Sequence, residues 1–106
     1  MDDVAVLIRQ IPYQDALGNW TETEQRKTVY VSVGGITSAE HFRAAEVGLS
    51  PQAVLTTSSH DYDGEQLLEW RGERYAVYRA YADPESETAE LYIERQGGVH
   101  GSRPED

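Results

Sequence analysis

Positions 59–65 read SHDYDGE, a stretch that sets a histidine beside a serine and two aspartates, with a glutamate just beyond. Side chains of these types serve two chemistries: oxygen and imidazole ligands can hold a divalent cation, and a histidine-carboxylate pair can activate a hydroxyl. A calcium loop of the helix-loop-helix kind needs acids at its first and third places, glycine at the sixth and glutamate at the twelfth. Counted from Asp61, Asp63 fits the third place, but Gln66 stands sixth and Gly72 twelfth. For zinc, His60 and Asp61 are neighbours at an expected strand end, so their side chains diverge, and His41 and His100 lie far off in sequence. Ser59, His60 and Asp61 fail as a hydrolytic triad for a related reason, because a triad needs groups converging from separate segments. The chain has neither a Gly-x-Ser-x-Gly elbow nor a glycine-rich phosphate loop, and its carboxylates fall in turns rather than in apolar pockets that would raise a pKa. No catalytic residue, metal site or cofactor is therefore expected. Asp63-Gly64 is a favoured tight-turn dipeptide, which makes SHDYDGE the expected corner of a hairpin in a β-meander.

The elements around that corner are mostly strands. Residues 4–11 (VAVLIRQI) read as a strand with Val4, Val6 and Ile8 on one face and Ala5, Leu7 and Arg9 on the other. The cluster 15–19 (DALGN) is a turn, a polar stretch follows, and 27–33 (KTVYVSV) alternates with Val29, Val31 and Val33 inward, so that two long strands joined by the turn make a hairpin. After Gly34 and Gly35, Thr37-Ser38-Ala39-Glu40 matches a capping box. A helix to about Val47 would carry Ala39, Phe42 and Ala45 on one stripe, with Gly48 stopping it and Pro51 enforcing an extended exit. A helix of roughly ten residues with one large apolar anchor is marginal alone. It either plugs one end of the sheet or changes position on assembly. Further strands are expected at 53–58, 66–70, 74–81 and 89–95, with Tyr75, Val77 and Tyr81 sharing a face. The expected fold is mainly β: a small antiparallel six-stranded barrel with one short helix between the second and third strands. Its core is drawn from Val6, Ile8, Val29, Val31, Leu55, Trp70, Tyr75, Val77, Leu91 and Ile93. Residues 1–96 would form the one domain and 97–106 a flexible tail.

Composition narrows the partners. Nineteen acidic against nine basic residues give a net charge of −10 in 106 residues. Such a surface repels phosphate backbones, which argues against ordinary nucleic-acid binding. It suits a solubility device, a lining that DNA slides past, or a mimic of DNA. There is no cysteine, in keeping with a reducing cytoplasm. The acidic start, MDDVAVLIRQI, lacks the basic region of a signal peptide, and nothing approaches the ~20 apolar residues of a membrane span.

The order Asp61-Tyr62-Asp63-Gly64-Glu65, then Leu68-Glu69-Trp70-x-Gly72-Glu73-Arg74-Tyr75-x-Val77-Tyr78-Arg79-x-Tyr81, resembles the C-terminal half of the head closure (head-tail joining, or stopper) proteins of long-tailed phages and prophages. The opening Val6-Leu7-Ile8-Arg9, the turn at 15–19 and an alanine-rich segment ending Gly48-Leu49-Ser50-Pro51 extend the resemblance to about Gly97. It implies a small β-barrel made in the host cytoplasm that assembles in the virion neck as a ring, dodecameric in the assembled connector. The ring sits below the portal and adaptor rings, closes the filled head and offers the tail its attachment surface, while DNA passes through without specific binding. The resemblance also implies that the segment between the second and third strands projects into the channel and helps retain DNA. In this chain that segment contains Gly34, Gly35, Ile36, Thr37, Ser38, Glu40, Phe42, Glu46, Gly48, Leu49 and Pro51.

An acidic bore free of adhesive cations would let the duplex pass, because each phosphate contact adds affinity and drag. Trp20, Ile36, Phe42 and Leu49 are the candidates for contact between subunits, since large apolar groups left exposed are what interfaces use. Three competing readings differ in class. A tail-completion or terminator protein is also small and ring-forming. An acidic DNA mimic needs carboxylates spaced like phosphates, whereas these cluster in turns among arginines. A small hydrolase would depend on His60 with Asp61 or Asp63.

Overall fold

A computed structural model describes residues 2–96; the expected tail at 97–106 lies outside the described residues. The element order is β1 (Asp2–Gln14), β2 (Trp20–Gly34), α1 (Ser38–Glu46), β3 (Pro51–Ser58), β4 (Leu67–Trp70), β5 (Glu73–Asp83) and β6 (Thr88–Arg95). All pairings are antiparallel, and the six strands close into a barrel in the order β1-β2-β3-β6-β5-β4. The expected fold class is the observed one. Among the described residues no helix is long and apolar enough to cross a membrane.

The interior is filled by alternate residues of every strand: Ala5 and Leu7, Val29 and Val31, Ala53 and Leu55, Leu68 and Trp70, Tyr75, and Ala89, Leu91 and Ile93, with Val33 and Val77 packed against them. Burial of this apolar set is the main force closing the sheet. The expected parity of β1 is reversed. Pairing of Ala5 with Val29 and of Leu7 with Lys27 points Ala5 and Leu7 inward, because a strand's faces alternate and its partner sets which face is which. Val6, expected in the core, is instead half-exposed on the outer wall, and Val4 is 47% exposed. Ile8 is buried, but also on the outer wall and outside the core cluster. It pairs with Leu67 across β1 and β4. Near this row an ionic ladder crosses the wall, Arg26 to Glu69 at 2.6 Å and Arg74 to Glu24 at 2.8 Å.

Both strands of the first hairpin outrun the barrel. β4 pairs with β1 only at Val6, Leu7 and Ile8, and β3 pairs with β2 only at Ser32, Val33 and Gly34. The ladder between β1 and β2 nevertheless continues from Arg9–Gln25 out to Gln14–Trp20. The polar stretch 20–26, left unassigned by the sequence, is therefore strand, and residues 9–25 form a two-stranded arm with the turn at its tip. Asp15 shapes that turn by accepting the N–H groups of Leu17 and Asn19 on Oδ1, both at 2.9 Å, and Gly18 takes φ +87°.

SHDYDGE is not a hairpin corner. β3 and β4 are not neighbours, so 59–66 is a crossing connection, and the expected meander holds only for β4, β5 and β6. Tyr62 packs against the core from this loop, and its hydroxyl donates to the Glu65 carbonyl at 2.8 Å. Gly64 adopts φ +88°, as a loop reversal here requires.

Candidate functional site

Along 59–65 Glu65 is buried, while the histidine and both aspartates face water. His60 Nε2 lies 3.5 Å from a Glu87 carboxylate oxygen. Asp63 and Glu65 face Lys27, whose ammonium lies 3.0 Å and 3.7 Å from them. The hydrogen bond to Asp63 raises the pKa of Lys27 above its ordinary value, so a fixed cation occupies the place between the two acids. Among the described residues no group of three or more histidine or acidic side chains is placed to share an ion.

The segment 34–51 is where the chain departs from the barrel wall. Gly34 and Gly35 lead out of β2, and Thr37 caps α1 by accepting the Glu40 amide on its hydroxyl at 3.2 Å. The helix ends as its sequence directs. The Gly48 and Leu49 amides donate back to the Ala45 and Ala44 carbonyls at 3.1 and 2.9 Å, with Gly48 at φ +82°, which is a Schellman stop. Pro51 is buried where β3 begins, and the Ser50 amide is held by Glu94 at 3.0 Å.

The expected stripe of Ala39, Phe42 and Ala45 does not face the protein. All three are exposed, Phe42 by 76%, and the helix buries Glu40 and Ala44 instead. Nor does the helix plug an end. It shares a cleft of about 460 Å³ with Val54, Thr56, Glu90, Tyr92 and Arg79, residues that point outward from β3, β6 and β5, so α1 lies along the outside of the barrel.

What fastens it is polar. Glu40 supplies only half of a capping box: Thr37 receives its amide, but its carboxylate turns to β5. One oxygen accepts from the Tyr78 hydroxyl at 2.7 Å and the other from the Arg79 guanidinium at 2.7 Å. Consecutive residues of a regular strand face opposite ways, and two neighbours could not both reach one carboxylate. A β-bulge resolves this: Val77 pairs with Ile93 and Arg79 with Tyr92, leaving Tyr78 as the extra residue. The bulge also reverses parity beyond it, so Arg79 and Tyr81 face outward, contrary to the expectation that Tyr81 shares a face with Tyr75 and Val77; Tyr81 is 54% exposed. Arg79 stacks on the Tyr92 ring at 3.9 Å, which steadies its fork. The Tyr78 hydrogen bond, with Arg79 beside it, holds the Glu40 carboxyl below the usual range, while burial and then Glu40 push the Tyr78 phenol up.

The remaining segment residues are placed more loosely. Ser38 opens the helix and Glu46 ends it, both exposed; Ile36 and Leu49 are half-buried. Of the four subunit-contact candidates, Trp20 (72%) and Phe42 (76%) are widely exposed. They do not form one patch by sequence or element, since Trp20 starts the outer end of β2 and Phe42 sits on α1. Sequence reasoning missed Tyr78 and Arg79 as anchors. It placed the hairpin of β1 and β2 about the 15–19 turn, as observed, but not the extension of both strands beyond the barrel. Compared with protein-family models and with curated sequences, the chain matches none of them.

Proposed function

We propose that this chain is a structural protein of a phage neck, a ring subunit between portal or adaptor and tail that closes the filled head, retains DNA and offers the tail a surface. The observation that carries this reading is the attachment of 34–51. The one segment that leaves the wall between the second and third strands rests on the outside through a polar clamp and one buried alanine, Ala44. A segment held this way can be exchanged from one position to another when neighbours arrive, because little apolar area has to be uncovered. The charge of −10 supports a bore that DNA passes without adhering. Exposed Phe42 and Trp20 support contacts made by copies meeting around an axis.

In this reading the protein carries out no chemistry, resides in the virion neck, and works with itself, the adaptor or portal, and tail proteins. Deleting the gene in the phage or prophage that encodes it provides the test. Heads should then lose packaged DNA or fail to take tails, and infectivity should return when the gene is supplied in trans. Stable, tailed, infectious particles without the protein would refute the reading.

A further inference from the structure

The arm at 9–25 meets the barrel at its base, where Arg9 donates to the Asp63 carbonyl at 2.6 Å and Glu24 holds Arg74 at 2.8 Å, but its ladder pairs with no third strand. An isolated two-stranded ribbon is marginal in water, and this one ends in large apolar side chains held away from the core. Leu17 is 86% exposed, Trp20 72% and Tyr13 47%. Apart from Asp15, whose carboxylate is engaged within the turn, the tip is uncharged: Ala16, Leu17, Gly18, Asn19, Trp20 and Thr21 follow one another without an ionisable side chain. In a chain of net charge −10, two copies repel on average. Contact between copies costs least where few acids face one another.

A second apolar surface, rimmed by acids, lies on the barrel wall. On the outer faces of β1, β2 and β3, Val4 pairs with Tyr30, Val6 with Thr28, and Ser32 with Thr56. Tyr30 is 83% exposed; the acids around this patch are Asp2, paired with Ser32, Glu69, paired with Val6, and Glu90, paired with Thr56. Beside Tyr30 runs a groove of about 350 Å³ lined by Val31, Ser32, Thr56 and Thr57, with Asp2 at its edge. It opens where β2 parts from β3, and the Thr57 hydroxyl bridges the parting by donating to the Tyr30 carbonyl at 2.8 Å. The groove has room for one indole.

We infer that the arm tip of one copy docks on the Tyr30 wall of the next, with Trp20 entering the groove beside Tyr30. The tip cannot reach its own wall, because Trp20 and Tyr30 lie about ten residues, or ~33 Å, apart along one continuous strand. Knob and seat on opposite parts of one chain make a head-to-tail contact, which closes into a ring when the rotation permits. One such contact covers a few aromatic side chains, well short of the ~1,200 Å² of a lasting pair. Isolated copies therefore associate only weakly, and a closed set holds because each copy both gives and receives. The inference rests on the ring reading for its partner, a second copy of this chain, and on the arm for its location.

Disulfide trapping tests it cleanly, because the chain has no cysteine of its own. The variants Asn19→Cys, next to Trp20, and Ser32→Cys, in the groove lining, leave Trp20 and Tyr30 in place; they are mixed as full-length proteins and oxidised, with Glu46→Cys on the exposed helix end as the comparison. All three positions are exposed, so folding is spared, and circular dichroism of each variant checks it. The mixture of Asn19→Cys with Ser32→Cys should give crosslinked heterodimer at least about tenfold above Asn19→Cys with Glu46→Cys. Equal yields, or crosslinking only between two Asn19→Cys chains, would overturn the arm-to-wall contact and leave the tip for a different partner. Failure here alongside a ring seen in the neck sinks this contact alone; absence of any ring sinks the proposed function as well.

Discussion

Glu40 is a carboxylate with 8% of its side chain exposed, held by a phenol and a guanidinium that a bulge brings to one side. Glu40→Ala removes both bonds and leaves the Tyr78 hydroxyl without its acceptor. Hydrogen bonds to a charged group are worth about 1.5–3 kcal/mol, discounted here because Arg79 is 44% exposed and screened by water. A loss of about 1–2 kcal/mol is expected, read by amide exchange as lost protection across α1 with the barrel core unchanged. Tyr78→Phe should cost less, since Arg79 still faces the carboxylate.

The same clamp gives a pH dependence of known sign. The folded-state pKa of Glu40 is depressed, so its stabilisation is complete above the ordinary value of 4.5 and is lost as pH falls through the lowered value. Protection factors for α1 should hold from neutrality to about pH 5, then fall on further acidification. In Glu40→Gln that acid-dependent part should disappear. Protection that drops instead between pH 8 and 6 would implicate another group.

At the scale of elements, two positions measure what the helix stop and the core contribute. Gly48 sits at φ +82° with nothing within 4 Å of where a Cβ would be. Gly48→Ala therefore tests backbone strain alone, about 1 kcal/mol, visible as fraying of the last helical turn. Leu55 is fully buried in the core cluster, and Leu55→Ala should cost about 2–5 kcal/mol in chemical denaturation. The contrast between a soft outer helix and a hard barrel is the physical basis of the movement proposed for 34–51.

Much of this was legible in the sequence. Thr37 and Gly48 gave both ends of α1, and the alternation of Val29 with Val31 and of Leu91 with Ile93 gave those strands their inward faces. The β1 parity was not legible from VAVLI alone, because that run is apolar on both faces. Folding the chain back about Leu17 does pair Ala5 with Val29, so the turn held the missing information. The burial of Glu40 was hidden for a different reason. Its partners are nearly forty residues away, and the bulge that aims them breaks the period-two pattern on which strand reading depends. Asp63-Gly64 misled because a dipeptide suited to positive φ serves any loop reversal, and only the strand order reveals that β3 and β4 do not meet.

Considered whole, the molecule is a small acidic barrel with two outgrowths, the arm and the outer helix, giving extents of 48 × 35 × 22 Å. Neither outgrowth is needed to close the sheet, and both carry exposed aromatic side chains, Trp20 on one and Phe42 on the other. Exposed apolar groups of this size are what interfaces cover, which favours the proposed function between copies over one within a single chain. Averaged electron images of necks from particles that carry a tagged copy of the chain test this most directly. The expected result is a ring of copies coaxial with the portal, with the tags in that ring and 34–51 on its bore side. Tags scattered elsewhere in the particle, or a ring whose outer helices all face away from the bore, would contradict it.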